Sequence, residues 1–141
     1  MTVLVKICGV TRAEDAEAAV AAGADLIGLN FWPRSRRYVT LEAAIAIAAA
    51  IPGDVRKVGV FVNAPAPTVL ETAARVGLDL VQLHGDEDAA FARALARPYI
   101  RAVRDVRPYA VDVAGGVESA PGIKDKGKLR RFIDAAKGLS S

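Results

Sequence analysis

Cysteine is almost missing from this 141-residue sequence. Cys8 stands alone, so no internal disulfide can form, and the composition fits a reducing, cytoplasmic compartment. No charge of one sign dominates either. With 19 Lys and Arg against 16 Asp and Glu, the formal charge is +3, enough to suit an anionic metabolite. No segment concentrates that charge into a stripe for nucleic acid. Long hydrophobic runs are absent as well. The stretch from Leu41 to Ile51 falls well short of the ~20 residues a membrane span needs, and reads as an alanine-rich buried helix. The run from Met1 to Val5 is broken by Lys6 and is too short for a signal sequence. These absences predict neither a membrane nor a nucleic-acid partner. What remains is ample for a core: 52% apolar and 25% charged residues describe one compact domain rather than a disordered chain.

Strand-like and helix-like segments alternate. Val3 to Cys8 is β-rich and ends at Gly9. Thr11 with Glu14 forms a capping-box pattern before Ala16, Ala19 and Val20 at helical spacing, and Gly23 marks the stop. Asp25 to Phe31 reads as a strand, residues 32–39 as a loop, and Thr40 to Ala50 as a helix. A third strand spans Val58 to Asn63. The helix carrying Val69, Ala73 and Val76 ends at Gly77. Leu78 to His84 is a fourth strand, and the helix from Glu87 to Ala96 is expected to bury Phe91, Ala94 and Leu95. Tyr109 to Val113 reads as a last strand, followed by a helix carrying Leu129, Phe132, Ile133 and Ala136. Such alternation implies parallel βα units, and a sheet covered by helices explains the nearly continuous apolar strands.

The rhythm fails once. Tyr99 to Arg104 fits a strand, yet another strand begins a few residues later, and a parallel crossover needs about a dozen. Ile100, Val103 and Val106 also fit a helix. The segment 99–108 is therefore read as a junction, between four βα units over 1–98 and a last unit over 109–141.

In parallel α/β sheets, chemistry collects at the C-terminal strand ends. Polar residues interrupt the apolar runs there: Cys8, Asn30, Asn63, Gln82 with His84, and Asp112. Alternation puts Leu4, Lys6 and Cys8 on one face, and likewise Leu80, Gln82 and His84. Each has two readings. Cys8 is either a small buried hydrophobe or, with Lys6 two positions away, a thiolate able to act as base. His84 either caps its strand or serves catalysis. The three arginines of Trp32-Pro-Arg-Ser-Arg-Arg-Tyr38 are either solvated or recognise carboxylate or phosphate. Ala114-Gly-Gly-Val117 offers backbone N–H groups of the kind that cradle phosphate, although glycine pairs are common in loops.

In combination, Val5-Lys-Ile-Cys-Gly-Val-Thr11, Phe31-Trp-Pro-Arg-Ser-Arg-Arg-Tyr38, Val58-Gly-Val-Phe-Val-Asn63, Val81-Gln-Leu-His-Gly85 and Arg107-Pro-Tyr-Ala-Val-Asp-Val113, with Gly116 to Asp125, closely resemble the phosphoribosylanthranilate isomerases of tryptophan biosynthesis. The resemblance implies a (β/α)8 barrel that performs an Amadori rearrangement without metal or organic cofactor. It implies Cys8 as general base. It also implies Arg37, Asp112, Gly115, Gly116, Gln82 and His84 as substrate-binding residues.

One departure stands out. The family's general acid, an aspartate ending the sixth strand, has no counterpart here, and Asp112 is a candidate replacement. Also missing are the loop after that strand and the phosphate turn after strand seven. The expected fold is therefore a truncated barrel of about five to six βα units, not closed by one chain, with two unpaired edges. Three functions fit. The chain is an active isomerase, completed by self-association or by another acid. Alternatively, it is an inactive relic that keeps partial anion binding. The third reading is a flavodoxin-like binding module with one continuous sheet.

Overall fold

In a computed structural model the chain is described over residues 3–96, 98–101 and 110–138, with only the backbone of 100, 101, 110 and 111. Most of the expected junction, including Val103, Arg104, Val106 and Tyr109, lies outside the described residues.

The order is β1 (Leu4–Ile7), α1 (Ala13–Ala22), β2 (Leu26–Asn30), α2 (Leu41–Ala49), β3 (Arg56–Phe61), α3 (Ala66–Val76), β4 (Leu80–Leu83) and α4 (Ala89–Ala94). Then come β5 (Tyr99–Arg101), β6 (Ala110–Val113), a 3-10 turn (Gly115–Val117), β7 (Glu118–Ala120), β8 (Ile123–Lys124) and α5 (Lys126–Gly138). Six strands form one sheet in the order β5-β4-β3-β2-β1-β6. Every pairing in it is parallel. β7 and β8 make a separate antiparallel ribbon.

That order decides the architecture. A doubly wound sheet reverses its strand order at a switch point. Here β1 to β5 run consecutively, so right-handed crossovers place every helix on one side. This excludes the flavodoxin-like module. It is the arrangement of a barrel cut open between β5 and β6, the two strands at the edges of the sheet among the described residues.

Strand alternation sorts the side chains. Val5, Ile7, Ile27, Leu29, Phe61, Val81 and Leu83 face outward and pack with Ala16, Ala44, Ile47, Val69, Ala73, Leu95 and Ile133 from the helices. Lys6, Gly28, Val60 and Gln82 face inward. β1 and β4 are three strand spacings apart, about 14 Å in a flat sheet. Side chains standing perpendicular to such a sheet would not meet. Lys6 Nζ nevertheless donates to Gln82 Oε1, because the sheet curls around its inner face.

Two local expectations are corrected. Thr11 does not cap α1. The cap position is Arg12, with no side-chain capping bond, because the Thr11 hydroxyl donates instead to the Gly122 carbonyl. The fourth helix starts later than Glu87, because the buried Glu87 carboxylate accepts the N–H groups of Asn63 and Gly85, both at 2.8 Å. Asp88 then caps α4 by accepting from Phe91 N at 2.8 Å. In that helix Ala92 is buried and Ala94 is exposed, a face shifted from the expected one.

Candidate active site

The C-terminal ends of the strands meet around a cavity of about 310 Å³. Cys8, Asn30, Trp32, Gln82, His84 and Asp112 contribute to its walls, with Val60, Val62 and Ala114 as apolar parts. Five of the polar strand-end residues picked out in the sequence, Cys8, Asn30, Gln82, His84 and Asp112, therefore share one space. A larger cavity of about 420 Å³ lies elsewhere, lined by Asn63, Asp86, Glu87, Asp88 and Phe91. Its walls are acidic and carry no cation, so it does not suit an anion. Asn63 thus belongs outside the site. Its Oδ1 accepts Asp86 N at 2.8 Å, bracing two neighbouring loops.

Cys8 follows β1 and continues its ladder, its N–H donating to Val113 O at 2.8 Å. Lys6 lies beneath, 5% exposed, with Nζ 3.1 Å from Asp112 Oδ2 and 3.5 Å from Cys8 Sγ. Register explains the pair, since Lys6 and Asp112 are direct partners across β1 and β6 and face the same way. Gly28 gives the space for both side chains. A Cβ there would lie 2.7 Å from Cys8 Sγ and 3.1 Å from Lys6 Cε.

Of the two readings of Cys8, the balance of burial and charge favours the buried thiol. Burial pushes the Cys8 thiol above its ordinary value; the Lys6 ammonium pulls the other way, and Asp112 adds to the rise. Lys6 divides its charge between Asp112, Gln82 and the sulfur, so desolvation prevails.

Arg37 does not line the cavity. Its side chain crosses the Gly9 turn, where φ is +75° and a Cβ would fall 2.3 Å from Arg37 Cδ. Glycine is required there on both counts. The guanidinium then meets Glu118, with Nε 2.9 Å from Oε2 and Nη2 2.7 Å from Oε1. Its Nη2 also lies 3.0 Å from where a Cβ on Gly115 would be. Arg37 and the exposed Gly115–Gly116 turn are thus neighbours at the β1 and β6 end of the site.

Glu118 and Lys124 complete this corner, and the sequence reading missed them as a pair. Lys124 Nζ is 3.0 Å from Glu118 Oε2, both side chains being almost wholly buried. Burial raises the Glu118 carboxyl, but hydrogen bonds from Arg37 and Lys124 and from the Gly122 N–H outweigh it, leaving the group below its ordinary value. Burial lowers Lys124, and Glu118 only partly restores it. One sequence signal could have found the pair: opposite charges flanking the Pro-Gly turn of a two-stranded ribbon.

Among the described residues no group of three or more His, Cys, Asp or Glu side chains could hold a metal ion. None of the described helices is long and apolar enough to cross a membrane.

A family model described as "N-(5'phosphoribosyl)anthranilate (PRA) isomerase" matches residues 5–107. The N-(5'-phosphoribosyl)anthranilate isomerase of Geobacter sulfurreducens is 38% identical, with 96% of this chain and 99% of the relative covered. That of Nitrosomonas europaea is 51% identical over 82% of this chain and 57% of its own length. A crystal structure of phosphoribosyl anthranilate isomerase in complex with reduced 1-(o-carboxyphenylamino)-1-deoxyribulose 5-phosphate is similar too. It superposes with a TM-score of 0.90 at 34% identity, over 97% of this chain and 100% of that one. A structure of monomers generated from the dimeric phosphoribosylanthranilate isomerase of Thermotoga maritima gives 0.91 at 33% identity over 97% of this chain and 100% of that one. The Geobacter alignment runs over 201 positions, so against 141 residues at least 60 of them (201 less 141) have no counterpart here. That is about two βα units, the size of the gap the open sheet implies. The curled parallel sheet, the thiol at the end of β1 and these matches together place the chain in the phosphoribosylanthranilate isomerase family, as a member lacking an internal part of the barrel.

Proposed function

We propose that this chain isomerises N-(5'-phosphoribosyl)anthranilate to the 1-deoxyribulose 5-phosphate product, as a cytoplasmic enzyme of tryptophan biosynthesis without metal or organic cofactor. What carries the reading is one cavity of substrate size, about 310 Å³, bordered by Cys8, Gln82, His84 and Asp112 at the strand ends.

In this mechanism an acid protonates the ribose ring oxygen as its bond to C1 breaks, leaving an iminium with the anthranilate nitrogen. Cys8, as thiolate, takes the proton from C2, and the electron pair moves toward C1 to give the enolamine. Return of a proton to C1 and loss of the proton on the C2 hydroxyl yield the aminoketose and restore acid and base, so no electrons are gained or lost. The raised thiol makes the deprotonated base scarce at neutral pH, and turnover climbs with pH accordingly. Arg37, held by Glu118 through Nε and Nη2, offers Nη1 to the anthranilate carboxylate. The N–H groups of Gly115 and Gly116 receive the phosphate. Gln82 and His84 contact the sugar. Asp112, on the cavity wall, is the candidate for the missing acid.

A second copy of the chain covers the free edges of β5 and β6, as unpaired edges otherwise invite association. The test follows loss of anthranilate fluorescence over a range of protein concentrations. Turnover that rises with dimer content and vanishes in Cys8→Ser supports the reading. No turnover at any concentration would leave an inactive relic.

A further inference from the structure

The Lys124 side chain is 0% exposed, yet it carries an ammonium group. An ammonium has three N–H donors and no acceptor, and here every donor is used. Nζ donates to Cys8 O at 2.6 Å, to Ala114 O at 3.1 Å and to Glu118 Oε2 at 3.0 Å. Two of these acceptors are main-chain carbonyls that close adjacent strands, one just past β1 and the other just past β6.

Stability is a poor reason to place a cation there. An apolar side chain of similar length would fill the same volume without desolvating an ion, and such replacements are often neutral or favourable. The aim of the ammonium is more informative. In a trans peptide C=O and N–H point in opposite directions. A group that holds the Ala114 carbonyl from one side therefore turns the Gly115 N–H to the other. The same ammonium holds the carbonyl of the residue that bears the thiol. Glu118 supplies the counter-charge and is itself fixed by Arg37 and by Gly122 N at 3.1 Å.

We propose that Lys124 is a positioning residue, whose ammonium ties the ends of β1 and β6 together and so sets the Cys8 thiol relative to the Gly115–Gly116 turn. The proposal rests on reading that turn as the phosphate site of the substrate. It concerns a residue that touches neither the substrate nor the reacting atoms.

The experiment titrates inorganic phosphate into isotopically labelled protein and follows backbone amide and lysine ammonium signals by NMR. In the wild type, the Gly115 and Gly116 amides shift with phosphate. Lys124→Met, confirmed folded by circular dichroism, binds phosphate at least tenfold more weakly. Glu87→Ala removes the acceptor of the Asn63 and Gly85 N–H groups, away from this corner, and so keeps the ammonium and both carbonyl bonds. It binds within threefold of wild type even though it melts lower. A merely structural lysine gives the opposite pattern: both variants melt lower, and the folded fraction of Lys124→Met binds phosphate as well as wild type. That result overturns the proposal. If Lys124→Met does not fold, the wild-type protein decides. The Lys124 ammonium and Ala114 carbonyl signals then move with the same phosphate midpoint as Gly115, and fixed signals beside a moving Gly115 amide refute the coupling. Phosphate bound with this pattern but without turnover leaves the positioning role standing and removes the isomerase reading. A wild-type Gly115 amide indifferent to phosphate removes the positioning role, whatever the turnover.

Discussion

Replacing Gly28 with alanine adds one methyl group at the most crowded point beneath the site. The new Cβ would lie 2.7 Å from Cys8 Sγ, and 3.1 Å from both Cys8 Cα and Lys6 Cε. Comfortable contacts begin near 3.5–4.0 Å, so the thiol has to retreat by roughly 1 Å. Part of that strain falls on the Cys8 backbone, which is held by its ladder bond to Val113. Overpacking of this kind costs about 1–3 kcal/mol. For a chain of this size that lowers Tm by roughly 4–12 °C. The chemical effect is larger, since a displacement of about 1 Å at a reacting group costs on the order of 100-fold in rate. Gly53→Ala is the matched control, because nothing lies within 4 Å of a Cβ at that position. The assays are thermal unfolding by circular dichroism and turnover by anthranilate fluorescence. A Gly28→Ala protein that melts within a degree of Gly53→Ala and turns over equally fast would show that the thiol is not confined as described.

Alkylation of Cys8 by iodoacetamide should still be accelerating above pH 9, because burial raises the thiol above its ordinary value; a plateau near neutrality would contradict the burial argument. Turnover should share that rising limb, since the base acts deprotonated. Glu118 has a folded-state value below its ordinary one, so its contribution is present above that ordinary value, near 4.5, and is lost as pH falls through the lowered one. The difference in urea stability between wild type and Glu118→Gln should accordingly shrink as pH is lowered from 6 to 3, and a constant difference would argue against the ion pair. Glu87→Ala strips the Asn63 and Gly85 N–H groups of their shared acceptor. It should cost about 2–4 kcal/mol in chemical denaturation and leave the folded enzyme's turnover intact.

Legibility in the sequence followed range. Gly23 and Gly77 end α1 and α3 in the left-handed conformation, and Thr40 caps α2 by accepting from Ala43 N at 3.2 Å, all local events with local signals. The inward grouping of Lys6 with Cys8, and of Gln82 with His84, was also legible, because alternation along a strand is a matter of two residues. Thr11 went the other way. Its capping-box pattern lost to a partner in the turn after β7, more than a hundred positions along the chain, and no local rule weighs such a competitor. The choice between the two readings of Cys8 was out of local reach as well. Lys6 was visible beside the thiol, but the burial that outweighs Lys6 comes from five strands converging.

By itself, then, the sequence determined the alternation of elements, the faces their side chains take and the absence of the residues that would close a barrel. Periodicity, glycine stops and motif order are carried by neighbours along the chain. Only the tertiary structure decided that the sheet curls enough for Lys6 to reach Gln82, that Arg37 is spoken for by Glu118, and that Lys124 lies buried between two strand ends. Each of these depends on a partner brought close by folding, and the energies involved are those of burial and pairing, which no single stretch of residues contains.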